Sequence, residues 1–401
     1  MLNSDLAQLA GTSQTGRETH ISGAGPAGLA AAITIAKAGG KAIVHERKAV
    51  AGARFHGDFQ GQENWTDEMD VLNDFSRMGI KPDFPHTAFH ELVAFDSDGR
   101  EFHFTSEVPL FYLVRRGSGA ESLDSALLRQ AKACGVDVRF EDEMHALPAG
   151  GICAEGPRAG DVIAVGYQFE TGLPDHAYAV LSDALAPKGY AYLLIHQGEA
   201  TLASCMFDDF HNEQAYLNNA VDFFQRRIGF SMDKHARRFG GLGNISYPAT
   251  ARKGNILYAG EAAGFQDALW GFGMRYAMTS GYLAAQAWLH GSPADYDRMW
   301  RQQLGSRMRA GIVNRFLYSR LGNAGYRHLL QRIAMAGDVR SWLWQYHQEK
   351  WWTRLLFPWA NRALPSKRKE NICPHPGCSC TWCKCRHAED TQAQQRSAGC
   401  S

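Results

Sequence analysis

Apolar positions along the chain fall into two rhythms, and these predict the elements. His20-Ile21-Ser22 reads as a short strand, Gly23 to Gly28 as a turn, and Leu29 to Ala38 as a helix of small residues. Lys41 to Glu46 reads as a second strand. Arg47 to about Asn64 has no clear period and reads as loop, and Thr66 to Met78 as a surface helix. Within 85–114 the strand-like segments are Glu91–Phe95 and Glu101–Phe104, with Asp98-Gly99 as the hairpin turn between them. Ser122 to Cys134 carries an amphipathic helical period that Gly135 ends, and Val136 to Phe140 is strand-like. Between 161 and 210 the alternation is that of strands: Val162–Val165, Tyr190–Ile195 and Ala200–Phe207. Ala215 to Ile228 is helical, Asn255 to Ala259 is a buried strand, and a long helix spans about Gly273 to Leu289.

A strand, a glycine turn, a helix and a second strand within thirty residues predict an α/β fold with a Rossmann-like start. Gly23-Ala24-Gly25-Pro26-Ala27-Gly28 fits the dinucleotide fingerprint G-x-G-x-x-G in its required context. Gly23 permits the tight turn, Gly25 lets backbone approach a pyrophosphate, and Gly28 lets helix pack on strand. Pro26 and Ala27 open the helix, whose free N–H groups and positive dipole end favour phosphate. Glu46, with Arg47 beside it, lies 23 residues after the first glycine and can accept from ribose hydroxyls.

A second marker separates FAD from NAD(P). Ile256 to Gly264 is an apolar strand running into a Gly/Ala turn with one carboxylate, Gly260-Glu261. Gly271-Phe272-Gly273-Met274 follows, then a helix with small residues at Ala277, Ser280, Gly281, Ala284 and Ala285. A carboxylate at such a turn can bind ribityl hydroxyls, and a helix N-terminus after it can stabilise negative charge on a reduced flavin. Both markers together point to FAD.

Composition adds limits. The 401 residues are 45% hydrophobic and 21% charged, with formal net charge +1, which gives no global case for nucleic-acid binding. No run of eighteen apolar residues occurs, and Met1 to Glu18 is a polar lead-in without an apolar signal region. The expectation is a cytoplasmic protein, with Cys134, Cys153 and Cys205 as ordinary buried thiols.

From Arg298 to Lys369 there are fifteen Lys or Arg against two acids, Asp338 and Glu349. Trp342, Trp344, Trp351, Trp352 and Trp359 are interleaved there with Arg340, Lys350, Arg354 and Arg362, and Lys367-Arg368-Lys369 follows. Such a mixture suits a membrane interface, here the inner face. It equally suits a helical cap packed on the rest of the protein. Single-stranded nucleic acid is set aside because the preceding region reads as a redox domain. Beyond it, Cys373, Cys378, Cys380, Cys383 and Cys385, with His387, form a ligand-rich tail suited to zinc or an iron–sulfur cluster. An unstructured Cys-rich tail is the alternative.

The segments Gly23 to Glu46 and Tyr258 to Ala285 resemble the p-hydroxybenzoate-hydroxylase-type flavoproteins, and more narrowly the geranylgeranyl reductase branch. Ala186-Pro187-Lys188-Gly189-Tyr190-Ala191-Tyr192-Leu193-Leu194 is similar to that branch's substrate-site motif, P-x-x-Y-x-W-x-F-P. The likeness spans about residues 18–290. Departures are Glu261 for the usual Asp, Tyr192 for the motif Trp, and Leu194-Ile195 for its Phe-Pro. The Asp-Gly motif of the aromatic hydroxylases is not evident; Gly160-Asp161 stands there in reversed order.

The resemblance implies a GR2-type FAD-binding domain built discontinuously from 19–84, 110–160 and 250–295. It implies an interleaved β-sheet substrate domain from 85–109 and 161–249, a helical basic region at 296–370, and the tail at 371–401. It also implies flavin contacts for Arg54 and Arg116, and a substrate pocket at Pro187, Tyr190 and Tyr192. The implied activity is reduction of C=C bonds in an isoprenoid or other lipid-like substrate, with NAD(P)H or a ferredoxin-like protein as electron donor. Two readings stay open beside it: a flavin monooxygenase, desaturase or oxidase, and a metal-binding sensor or scaffold in which FAD is structural.

Overall fold

Residues 18–144, 147–157, 160–232, 235–364 and 380–381 are described in the computed structural model of the chain. The chain enters through β1 (Glu18–Ser22), α1 (Pro26–Lys37) and β2 (Lys41–Glu46). The helix starts at Pro26, earlier than its apolar run, because proline presets the φ of a first helical turn and has no N–H to orphan. β3 (Phe59–Glu63) and α2 (Val71–Arg77) follow. Both depart from expectation. The stretch 47–64, expected as loop, carries a strand whose sequence Phe-Gln-Gly-Gln-Glu hides it. The helix expected from Thr66 begins only at Val71. The Glu63 carboxylate accepts from the amides of Trp65 and Thr66 and holds 63–66 as a turn. Asp70 then caps the helix by accepting from Leu72 N and Asn73 N.

The hairpin region supplies β4 (His86–Phe89), β5 (Glu91–Phe95), β6 (Glu101–Thr105) and β7 (Phe111–Arg115). Gly99 turns the β5–β6 hairpin with φ +79°. Next come α3 (Leu123–Ala133), capped by the Ser122 hydroxyl, then β8 (Asp137–Phe140) and β9 (Gly151–Cys153). The long strands are β10 (Val162–Glu170), β11 (His176–Val180), β12 (Tyr190–His196) and β13 (Glu199–Met206), followed by α4 (Glu213–Ile228) and β14 (Arg237–Gly243). β15 (Arg252–Lys253) and β16 (Ile256–Tyr258) return to the first sheet, and α5 (Met274–Leu289) follows. The remainder is helical: α6 (Tyr296–Trp300), α7 (Ser306–Tyr318), α8 (Gly322–Ala334), α9 (Val339–His347) and α10 (Trp351–Arg362).

Three sheets result. The first has order β15-β16-β9-β1-β2-β8, with β16-β9-β1-β2-β8 parallel throughout. Its central strands β9, β1 and β2 are largely buried, as a sheet covered on both faces requires, while the edge strands β8 and β15 are partly exposed. The second has order β14-β10-β13-β12-β11-β5-β6 and is antiparallel except between β11 and β5. The third is the small antiparallel β3-β7-β4. α1 and α5 cross closely on the first sheet: a Cβ on Gly281 would lie 2.0 Å from the Ala27 carbonyl oxygen, so only glycine allows the crossing. The fold is α/β with a helical C-terminal region. Among the described residues, no helix is long and apolar enough to cross a membrane.

Candidate functional site

One cavity of about 720 Å³ runs from the β1–α1 turn to the face of the second sheet. Gly23, Gly25, Pro26, Ala27, Glu46 and Arg47 line its first end. Gly23 has φ +100°, and a Cβ there would meet the Ala154 carbonyl oxygen at 2.3 Å. Gly28 does not border the cavity; its missing Cβ would fall 1.9 Å from the Gly23 oxygen, so it makes the turn compact. Gly25 has nothing within 4 Å of a would-be Cβ, and no side chain caps α1. A bare helix N-terminus with no acid in its first turn therefore faces open space. The Glu46 carboxylate accepts from Ala24 N and Lys48 N, both at 2.9 Å, and each oxygen keeps a further lone pair.

Across the cavity lie Gly260, Glu261, Gly271, Gly273 and Met274. Gly260 has φ +60°, and its N–H donates to the Ser280 hydroxyl at 2.8 Å. Asp267 builds the turn before α5: its carboxylate accepts from Leu269 N and Trp270 N, and its own N–H donates to the Phe272 carbonyl. Behind it stands His347, fully buried with Nε2 3.5 Å from the Asp267 carboxylate. Burial opposes its charge, but the negative charge of Asp267 and the hydrogen bond to the Leu343 carbonyl prevail and raise its pKa. α5 thus begins at Met274 with no acid in its first turn.

Arg54 and Arg116 both border the cavity, in different states. Arg54 reaches across it, with Nη1 2.5 Å from Glu261 Oε2, and also donates to the Leu242 carbonyl. Arg116 is buried, locked bidentately to Asp124 at 2.8 and 2.9 Å, and stacked 4.0 Å over the Phe55 ring. Its guanidinium is already committed, so it shapes the wall more than it offers free donors.

The far end of the cavity is apolar. Tyr190 and Tyr192 of β12 face it together with Trp65, Phe104, Trp270, Phe272, Ile333 and Leu343. α8 and α9 close this end, since Leu330, Ile333, Val339 and Leu343 lie in its wall. Tyr190 donates to the Trp270 carbonyl at 2.8 Å, and burial pushes both tyrosine phenols well above their ordinary pKa. Burial also pushes the Cys205 thiol up to about 12, which removes it as a thiolate nucleophile. Pro187 does not line this cavity. It sits before β12, and its carbonyl accepts from Phe207 N. The expectation failed there because a left-handed Lys188 (φ +56°) turns the chain between Pro187 and the strand.

Asp58 was not legible in the sequence. It follows an aperiodic stretch and borders the cavity while only 1% exposed. Its carboxylate accepts from His56 N at 3.1 Å and Gln60 Nε2 at 2.7 Å, and no ion pair involves it among the described residues. Asp161, in the reversed Gly-Asp pair, is buried and accepts from Ile245 N, so it is a structural brace.

The basic, Trp-rich region divides. Arg340 is buried and donates to the carbonyls of Asn64, Asp67 and Glu68, so it is no surface cation. Trp342 stacks on Tyr346 and packs into the core beside the cavity. In α10, by contrast, Trp351, Leu355 and Trp359 are 76%, 61% and 60% exposed at a spacing of four. Of the tail's predicted ligands, Cys373, Cys378, Cys383, Cys385 and His387 lie outside the described residues. Cys380 is buried with Sγ 3.5 Å from His211 Nδ1. Among the described residues, no group of three metal-ligating side chains is assembled.

No protein-family model matches the chain, and no curated protein matches its sequence. Solved structures do match. A geranylgeranyl bacteriochlorophyll reductase-like protein of Thermoplasma acidophilum aligns with TM-score 0.65 at 16% identity, over 87% of this chain and 97% of that one. A flavin-dependent brominase aligns with TM-score 0.58 at 16% identity, over 94% and 100%. A p-nitrophenol 4-monooxygenase of Pseudomonas putida aligns with TM-score 0.56 at 14% identity, over 86% and 98%. At such identities the likeness is one of fold: the chain shares the architecture of these three proteins.

Proposed function

We propose that this protein is an FAD-dependent oxidoreductase that reduces C=C bonds of an isoprenoid or other lipid-like substrate. The observation that carries this reading is the continuity of the cavity: a bare helix N-terminus and Glu46 at one end open into an aromatic and aliphatic chamber at the other. The residues fit the cofactor. The Gly25 side of α1 suits the pyrophosphate, Glu46 the adenosine ribose, Glu261 and Arg54 the ribityl chain, and the α5 N-terminus the pyrimidine edge. Bound there, the flavin supplies the hydride for the reduction.

The protein's own residues do the rest. Trp270, Phe272 and Tyr190 exclude water and orient an apolar chain by contact. Asp58 is the acid we assign to deliver the proton, because it borders the same cavity without a paired cation. The two sheets divide the work, the parallel sheet holding cofactor and the large antiparallel sheet holding substrate. The exposed Trp351-Leu355-Trp359 stripe, flanked by Arg354 and Arg362, supports contact with an anionic membrane surface from which such a substrate is drawn. NAD(P)H or a ferredoxin-like protein is the electron donor in this reading.

The test is anaerobic. Dithionite-reduced, FAD-loaded protein is mixed with polyprenyl alcohols and their diphosphates, and the flavin absorbance is followed. Reoxidation with a product two mass units heavier is expected. A second reading, monooxygenation, draws on the likeness to the brominase and the nitrophenol monooxygenase. That reading is tested by admitting oxygen to the reduced, substrate-bound protein: a long-lived flavin hydroperoxide spectrum with oxygen in the product would decide for it.

A further inference from the structure

A second cavity, of about 220 Å³, lies between α7, the end of α10, the segment before β12 and the residues just after β13. Arg315, Arg320 and Lys188 line it, with Ser319 and one acid, Asp208. Lys188 is paired to Asp183 at 3.1 Å, and Arg320 donates to the Phe316 carbonyl and the Ser319 hydroxyl.

Arg315 is the anomaly. It is 4% exposed, sandwiched 4.1 Å from the Phe207 ring and 4.4 Å from the Tyr318 ring. Nη1 donates to the Leu269 carbonyl at 3.0 Å, while Nε and Nη2 have no partner among the described residues. No carboxylate is paired with it there. Burial drags its pKa down to about 10, so it remains a cation at neutral pH. A buried charge with no carboxylate at salt-bridge distance is costly, even with the buried Asp267 acting on it from farther off, and a bound anion would supply the balance. The aromatic sandwich fixes the guanidinium plane and leaves an Nε/Nη2 edge, the geometry that grips two oxygens of one phosphate.

We propose that this cavity is an anion site for a phosphate ester, held by Arg315 and Arg320 with Lys188 at its rim. The chemistry fits a soluble phosphate monoester or the headgroup of an anionic lipid, the latter because α10 carries the exposed tryptophan stripe on the same helix. The site does not rest on the flavin reading. It would act next to the main cavity, since Arg315 Nη1 holds the Leu269 carbonyl within the turn that leads to α5.

The experiment is thermal unfolding of the full chain with excess FAD present, so that the α1 turn is not the reporter. Inorganic phosphate is titrated against chloride at matched ionic strength. A saturable rise in Tm is expected for the wild type, none for Arg315→Met, and a midpoint at least tenfold higher for Arg320→Gln. Absence of a saturable rise in the wild type, or an unchanged midpoint in Arg315→Met, overturns the proposal. Should Arg315→Met not fold, a wild-type midpoint in Arg320→Gln overturns it instead. Co-sedimentation with phosphatidic acid vesicles, against phosphatidylcholine vesicles, then separates the sources. Binding that depends on Arg315 assigns a lipid headgroup, and phosphate binding without vesicle binding assigns a soluble ester.

Discussion

The two ends of the main cavity are built from different materials. The glycine-turn end is backbone: glycines whose missing Cβ atoms make room, a helix terminus, and one carboxylate braced by two amides. The chamber end is side chain: rings and aliphatic groups gathered from the β3–β7–β4 region, β12, the turn before α5, α8 and α9. A backbone site tolerates almost no change at glycines such as Gly23 and Gly28, where a Cβ has no room. A side-chain chamber degrades gradually and retunes its ligand. This difference sets the order of the effects expected on substitution.

The largest effect belongs to Gly28→Val. Its branched side chain would collide with the Gly23 carbonyl, so a loss of more than about 3 kcal/mol of stability is expected, together with loss of flavin. Thermal unfolding and the flavin absorbance of the purified variant check this. Asp58→Asn is expected to keep full flavin content while turnover falls about 100-fold, the usual scale for a lost general acid. Equal turnover at equal flavin content would remove Asp58 from the mechanism. Glu46→Ala comes next, weakening FAD binding by about 2 kcal/mol, or roughly 30-fold in Kd, through lost charge-assisted hydrogen bonds. Fluorescence titration measures it.

At the chamber end, Leu343→Ala enlarges the wall contributed by α9. A change of about tenfold in relative kcat/KM between short and long polyprenyl substrates is expected, with FAD affinity unchanged. The smallest effect is a pH dependence. The folded-state pKa of His347 is raised above the ordinary 6.5. Its charged form therefore stabilises the fold fully below pH 6.5, and that contribution fades as pH rises through the folded value. The Tm difference between wild type and His347→Gln should be widest in mild acid and shrink toward alkaline pH.

The same contrast explains what the sequence made legible. Gly23, Gly25, Gly28 and Glu46 are spaced by local geometry within one βαβ unit, so reading them needs no tertiary knowledge. Gly260-Glu261 and Met274 are legible for the same reason, as a strand–turn–helix. Tyr190 and Tyr192 emerged only through the resemblance, and Pro187 was carried along with them until the left-handed Lys188 separated it from the strand. Asp58 carried no signal, because a short strand of glutamines and glycine hides the element beside it. Arg340 and Arg315 look like surface cations in a basic run. Only packing reveals one as a buried brace for carbonyl oxygens and the other as a buried cation with no ion pair among the described residues.

The central claim is that the cavity holds a flavin. Its most direct test is the absorbance spectrum of the full-length protein purified from cells, followed by heat release and chromatography of whatever cofactor comes with it. The account predicts flavin bands and release of FAD at up to one per chain, restored to one by incubation with FAD and lost in Gly28→Val. A correctly folded wild-type protein with no flavin as isolated, and none bound after incubation with FAD, would contradict it.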